Sequence, residues 1–321
     1  MQDNAARRTV DELVTLYDLE PDVRDIFVEG RSDRNFLASH LAPELESNPC
    51  RVYAISDRVC VSDGDLLKAG LPTGERGRII WLARQLADRL PGNTSAALVA
   101  DKDFASLGAD AHDDIHGLLY TDYSSIEAYA LNETTLGKLL RVTFGAPDDI
   151  TGSTLLSRIT PALVSLFVIR LCLRDSGCGA TLTVKLLSKW ELGDQSQGRV
   201  RETFKACLHA LPPSERNGHT DESLHVRYLE HLERVDSEFR NFVNGHDVSK
   251  MLVRFLKIAC PSVFNSSARR PFQDPEVLET VLMSTIETSH IAHEGLFRAL
   301  RVWLQGTAEA AELHAHEPHL E

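Results

Sequence analysis

Asp25-Ile26-Phe27-Val28-Glu29-Gly30-Arg31-Ser32-Asp33 is the stretch that decides the fold of this chain. A short apolar run closes on a carboxylate, then on a glycine and a serine–aspartate pair, as a strand does where it hands over to a helix. A second run of the same kind, Ala96-Ala97-Leu98-Val99-Ala100, closes on Asp101-Lys102-Asp103. Carboxylates at two strand ends of one parallel sheet are held on rigid backbone and can face one crevice. Four hard oxygen donors gathered there repel one another unless a divalent cation neutralises them. That combination points to Mg²⁺-dependent chemistry on phosphate esters.

Outward from these runs, the pattern predicts a helix over 9–18 with Thr9 as its cap and a strand over 25–29. A helix opening at Ser32-Asp33 follows, then a strand over 50–55. A loop rich in Gly and Asp over 62–77 leads to an amphipathic helix over 78–90, a strand over 96–101 and a short strand over 117–121. This β-α-β-α-β alternation implies an α/β fold, a parallel sheet flanked by helices with right-handed crossovers. Beyond 124 the period becomes helical, over 124–143, 153–174, 222–243, 246–259, 275–289 and 291–305. The expected organisation is an N-terminal helix (1–20), an α/β domain (21–130), a mainly α-helical C-terminal domain (131–310) and a disordered tail (311–321).

Composition narrows the function. The 321 residues carry a net charge of -13, which excludes a general nucleic-acid-coating surface yet suits an acidic metal site. Asp101, Asp103, Asp110, Asp113, Asp114, Asp122 and Glu127 crowd one short segment against the single base Lys102. No apolar run reaches the roughly 20 residues of a bilayer span, and Met1–Arg8 lacks the apolar centre of a signal peptide. Six scattered cysteines without a Cys-x-x-Cys pair read as reduced thiols of a cytoplasmic protein. There is no Gly-x-Ser-x-Gly, and Gly137-Lys138 lacks the upstream glycine of a phosphate-binding loop, so any ATP hydrolysis belongs to a partner.

Each candidate has a plainer reading beside its chemical one. Ser32 and Asp33 suit a helix cap, and Asp101 and Asp103 a solvated loop. Glu127 opens a helix, where an acid is favoured in any case. Asp63 and Asp65 flank Gly64 and suit a turn. Arg76 and Arg78 precede a helix, either to contact phosphates or as an exposed basic face. His246 and Asp247 fit a helix cap. The ordered set carries more weight than any member alone.

The ordered set Phe27-Val28-Glu29-Gly30-Arg31-Ser32-Asp33, Gly74-Glu75-Arg76-Gly77-Arg78, Asp101-Lys102-Asp103-Phe104 and Thr121-Asp122-Tyr123-Ser124-Ser125-Ile126-Glu127 resembles the TOPRIM domain. The likeness is to its overcoming-lysogenization-defect (OLD) nuclease branch, and spans about residues 20–130. Gly245-His246-Asp247 resembles a feature of small stand-alone members, such as the nuclease subunit of PARIS-type anti-phage systems. The resemblance implies a metal-dependent endonuclease with Glu29, Asp101 and Asp103 as catalytic residues. It implies Glu29, Asp33, Asp101, Asp103 and Glu127 as ligands of two Mg²⁺ or Mn²⁺ ions; Gly30, without a side chain, lets the backbone approach a phosphate at the following helix N-terminus. A DNA or RNA substrate (tRNA included), an ABC-type ATPase partner and, among the assemblies it allows, a homodimer follow from the same likeness. Asp33 departs from the Glu of many relatives, and no residue stands clearly for the base that stabilises the transition state in larger OLD enzymes. The alternatives are a catalytically silent, partner-binding TOPRIM module and a phosphatase-like hydrolase with Asp101 as nucleophile. The latter fold expects its Asp-x-Asp on the first strand.

Overall fold

The computed structural model describes residues 7–92, 94–108, 113–187, 190, 192–193 and 197–306. The expected tail 311–321 and Asp110 lie outside them. From the N-terminus, helix α1 (Val10–Leu19) precedes strand β1 (Arg24–Val28), α2 (Arg31–His40), α3 (Ala42–Ser47) and β2 (Cys50–Ala54). Short α4 (Ile55–Arg58) and α5 (Asp63–Lys68) lead to α6 (Glu75–Arg89), β3 (Ala96–Ala100) and β4 (Leu118–Tyr120). Next come α7 (Glu133–Lys138), α8 (Gly152–Asp175), α9 (Val184–Leu187) and α10 (Gln197–His209). The described chain ends through α11 (Asp221–Leu232), α12 (Gly245–Ala259), α13 (Pro275–Thr285), α14 (Thr288–Ile291) and α15 (Gly295–Gln305).

The four strands form one parallel sheet in the order β2-β1-β3-β4, flanked by helices. Every position of β3 is buried, and all of β1 after Arg24, so β3 and, past Asp25, β1 read as continuous apolar runs rather than alternating ones. Phe27, Leu98 and Leu118 pack with Leu13 and Tyr17 of α1 and Ile79, Leu82 and Leu86 of α6 in one cluster. Each fully buried large apolar side chain contributes about 1.5–3 kcal/mol. The ring of Phe36 on α2 meets that of Phe297 on α15 edge to face at 5.9 Å. The register sets Asp25, Ile26 and Phe27 beside Ala96, Ala97 and Leu98, so Glu29 and Asp101 each follow the end of one of two neighbouring strands. From β1 the chain moves to one side of the sheet, and from β3 to the other. The β1–β3 boundary is therefore its switch point, where such sheets open a crevice.

Two compact units divide the chain. The first takes the described residues up to Asp101, together with 113–122 and 288–306; the second takes 102–108 and the described part of 123–287. The boundaries therefore differ from the expected 21–130 and 131–310. Residues 102–108 and 123–130 fall in the helical unit, and α14 and α15 fall with the sheet. Asp122 helps to fix α15 there, accepting from the backbone N–H groups of Gly295 at 2.8 Å and Leu296 at 3.1 Å.

The second unit has no strand among its described residues. Its central α8 is long and apolar enough to cross a bilayer, but two-thirds (67%) of its most apolar window is buried within the protein. Helix α12 buries Val248, Met251, Leu252, Phe255 and Leu256 along one stripe. Asp247, at 0% exposure, receives both arms of the Arg170 guanidinium from α8 at 2.8 Å each, and so serves as an ion-pair anchor rather than a helix cap.

Candidate functional site

Glu29, Gly30, Asp33 and Asp101 all belong to the first unit, at the carboxyl ends of β1 and β3. The Asp101 backbone N–H donates to Glu29 Oε1 at 2.8 Å, which ties the two strand ends together through a carboxylate. Both side chains are half-buried. Asp33 turns back on its own helix, and its Oδ2 accepts the Gly30 N–H at 2.8 Å. The plainer reading of Asp33 therefore holds as geometry: it caps α2. A carboxylate has about four acceptor positions, so capping does not exhaust it. The same bond accounts for Gly30. A Cβ there would lie 3.3 Å from Asp33 Oδ2, and the Gly30 amide serves the cap instead of standing open to a phosphate.

Three arginines near this region have different occupations. Arg31 forks onto Asp57 at 2.8 and 2.9 Å and thereby holds that carboxyl below the ordinary carboxylate range. Arg78 pairs with Glu75 at 2.6 Å and Asp63 at 3.0 Å. Arg76 differs from both: its Nε donates to the Asp101 carbonyl at 3.1 Å, which places a guanidinium at the end of β3. The sequence offered Arg76 and Arg78 as equals ahead of a helix. They in fact lie inside its first turn, because α6 opens at Glu75 behind Gly74, whose φ is +138°. Gly77 lets that turn pack closely, since a Cβ would overlap the Pro72 carbonyl.

Two further acids have structural partners. Asp113 pairs with Arg84 at 2.9 Å, and Asp65 caps α5 through Ser62 at 2.6 Å. Asp103 is in the second unit, two positions past the last residue of the first. It adopts a left-handed φ of +46°, which only one other described non-glycine residue shares, and its N–H donates to Ser124 O at 2.9 Å. A left-handed non-glycine residue marks a tightly specified turn.

Glu127 lies in a 3-10 turn of the second unit and is 8% exposed. Its carboxylate meets His246 of α12 and Glu279 of α13, and ligating atoms of all three fall within 4.8 Å of one another. This is the grouping of His, Cys, Asp and Glu that closes to ion-sized spacing among the described residues; Glu29, Asp33 and Asp101 do not close so far. Attraction to Glu279, whose Oε2 lies 3.9 Å from His246 Nδ1, lifts the imidazole pKa; partial burial opposes this and the Glu127 charge adds to it. Sequence reasoning gave Glu127 to the strand-end ligand set and His246 to a cap, and did not single out Glu279. No short-range signal links the three, since they come from well-separated parts of the chain. No family model matches this chain, and no curated protein matches its sequence.

Proposed function

We propose that the chain is a divalent-metal-dependent nuclease with a TOPRIM-like α/β unit, hydrolysing phosphodiester bonds in DNA or RNA. One observation carries the reading: Glu29 and Asp101 stand bonded together at the switch point of a parallel sheet, with the Arg76 guanidinium on the Asp101 carbonyl. Hard carboxylate donors on rigid strand ends fit Mg²⁺ or Mn²⁺, and such an ion supplies Lewis-acid polarisation of a phosphoryl oxygen and an activated water. In this reading Glu29 and Asp101 are ligands; Asp33 and Asp103 are named as ligands by the TOPRIM resemblance alone. Arg76 supplies the positive charge that the motif alone left unassigned. The acidic chain and its lack of a phosphate-binding loop fit an effector governed by an ABC-type ATPase partner in the cytoplasm, in an anti-phage system.

The test pairs cleavage with metal binding. Full-length protein with Mg²⁺ or Mn²⁺ is offered supercoiled DNA, single-stranded RNA and tRNA, and nucleic acid from expressing cells is sequenced. Cleavage present in wild type and absent in Glu29→Ala and Asp101→Ala supports the reading; equal cleavage by all three rejects it. The cap takes one acceptor position of Asp33 that an ion would otherwise share, which favours a second reading, a silent partner-binding module. That module would show neither cleavage nor any divalent binding that depends on Glu29.

A further inference from the structure

We infer that Glu127, His246 and Glu279 form a binding site for a borderline transition-metal ion, Zn²⁺ or Mn²⁺, built wholly from the helical unit. The inference does not rest on the nuclease reading. It begins with Gly245. A Cβ at this position would overlap the Glu127 carboxylate and lie 2.8 Å from Ser125 Oγ, so the absent side chain is what lets both groups converge on the first turn of α12. Ser125 is 6% exposed, and its buried hydroxyl has no hydrogen-bond partner. A buried polar atom left unmatched beside a carboxylate leaves a position that an ion's bound water or another small ligand can fill.

Charge points the same way. Ligating atoms of Glu127 and Glu279 fall within 4.8 Å of each other, a spacing at which two carboxylates repel and which a bound cation relieves. His246 is the third corner. One imidazole and two carboxylates are the donor set of Zn²⁺ or Mn²⁺ sites, whereas Mg²⁺ prefers oxygen alone. Three protein ligands leave a position open, and the His246 side chain is 77% exposed, so solvent or a small ligand can reach it. Outer contacts hold the corners in place. Ser249 Oγ donates to Glu279 Oε2 at 3.4 Å. The Arg170–Asp247 pair anchors the residue next to His246.

The test uses chelator-stripped full-length protein carrying Glu29→Ala and Asp101→Ala, so that no ion bound at the strand ends is counted. Zn²⁺ and Mn²⁺ are titrated by calorimetry into this background, alone and with His246→Gln or Glu279→Gln added. The expected result is one equivalent of ion in the background, bound at least about 10- to 100-fold more weakly in each added variant. His246→Gln alters an exposed side chain, and an unchanged melting temperature confirms its fold. The site is overturned if the background binds no ion, or if His246→Gln and Glu279→Gln leave binding unchanged. An absent ion together with a raised His246 pKa by NMR would make the imidazolium itself the counter-charge, which also overturns it. Failure of the nuclease reading would appear separately, as equal cleavage by wild type and Glu29→Ala.

Discussion

The backbone amide of Asp101 is hydrogen-bonded to the side chain of Glu29 across 2.8 Å, so the end of β3 is fixed by a carboxylate that follows β1. A residue serving only the fold and a residue serving chemistry respond differently to substitution, and this bond separates the two roles.

Glu29→Gln keeps an acceptor for the Asp101 amide, and Glu29→Ala removes it. Loss of this carboxylate acceptor costs about 1–3 kcal/mol, so the alanine variant should melt a few degrees lower while the glutamine variant stays closer to wild type. A metal ligand would not be rescued by the amide. Metal charge stabilisation is worth several kcal/mol, so cleavage should fall by roughly 100-fold or more in both variants. Melting curves beside single-turnover cleavage decide the matter. Activity retained in Glu29→Gln would leave Glu29 with the structural role alone.

Arg76 gives a second separation. Its Nε bond to the Asp101 carbonyl is half-buried, so losing that bond in Arg76→Ala should cost about 1–2 kcal/mol of stability. If the guanidinium stabilises phosphoryl charge, cleavage should fall by roughly 100-fold, with Arg76→Lys recovering part of it. Gly77→Ala serves as the contrast. Its Cβ would overlap the Pro72 carbonyl, so it should lower stability by about 1–3 kcal/mol. Urea titrations paired with initial rates would show whether the two neighbours act through different quantities.

What the sequence made legible follows from the range of each interaction. β1 and β3 were readable because both faces are covered, leaving residues 26–28 and Ala96–Ala100 as continuous apolar runs followed by acids. The expected strand over 50–55 overran by one residue, since Ile55 already opens α4. Ser62-x-x-Asp65 held a capping box inside the expected loop, and α10 was missed although Val200, Phe204, Cys207 and Leu208 keep helical spacing. The expected helix 222–243 stops at Leu232; Glu238 then accepts the Arg240 N–H and starts a separate 3-10 turn. The span 124–143 divides into a 3-10 turn, α7 and a π turn. Asp33 as cap and Glu29 at a strand end are local facts and could be read. Arg76 on the Asp101 carbonyl and the Glu127–His246–Glu279 grouping are tertiary facts, which no spacing encodes.

Asp25 predicts a pH dependence. Burial raises its carboxyl pKa, while the Tyr17 hydroxyl, donating at 2.9 Å, and the charge of Arg58 oppose the rise. The folded state therefore holds this proton more tightly than the unfolded chain does. Stability from Asp25 is greatest below the ordinary value of 3.8 and is lost as pH rises through the folded pKa. Asp25→Asn keeps an acceptor for Tyr17 and cannot ionise. Its melting temperature relative to wild type should rise with pH through that window and level off above it. A difference independent of pH between 3 and 8 would remove Asp25 as the titrating group.

The Arg170–Asp247 pair tests what holds α8 to α12. Asp247 is fully buried and takes both guanidinium arms, so Arg170→Met leaves a carboxylate with neither its solvent nor its main partner. Breaking a buried pair this way costs about 3–5 kcal/mol. Lys250 Nζ lies 3.4 Å from Asp247 Oδ1 and retains part of the compensation, so the loss should fall near the lower end. Removing the charge as well reverses most of it. Arg170→Met with Asp247→Asn should be less destabilised than Arg170→Met alone, because a neutral amide is less costly to bury than an unpaired charge. A urea double-mutant cycle measures the coupling. If the two losses simply add, the pair is not the anchor, and apolar packing along α12 holds the helices together without it.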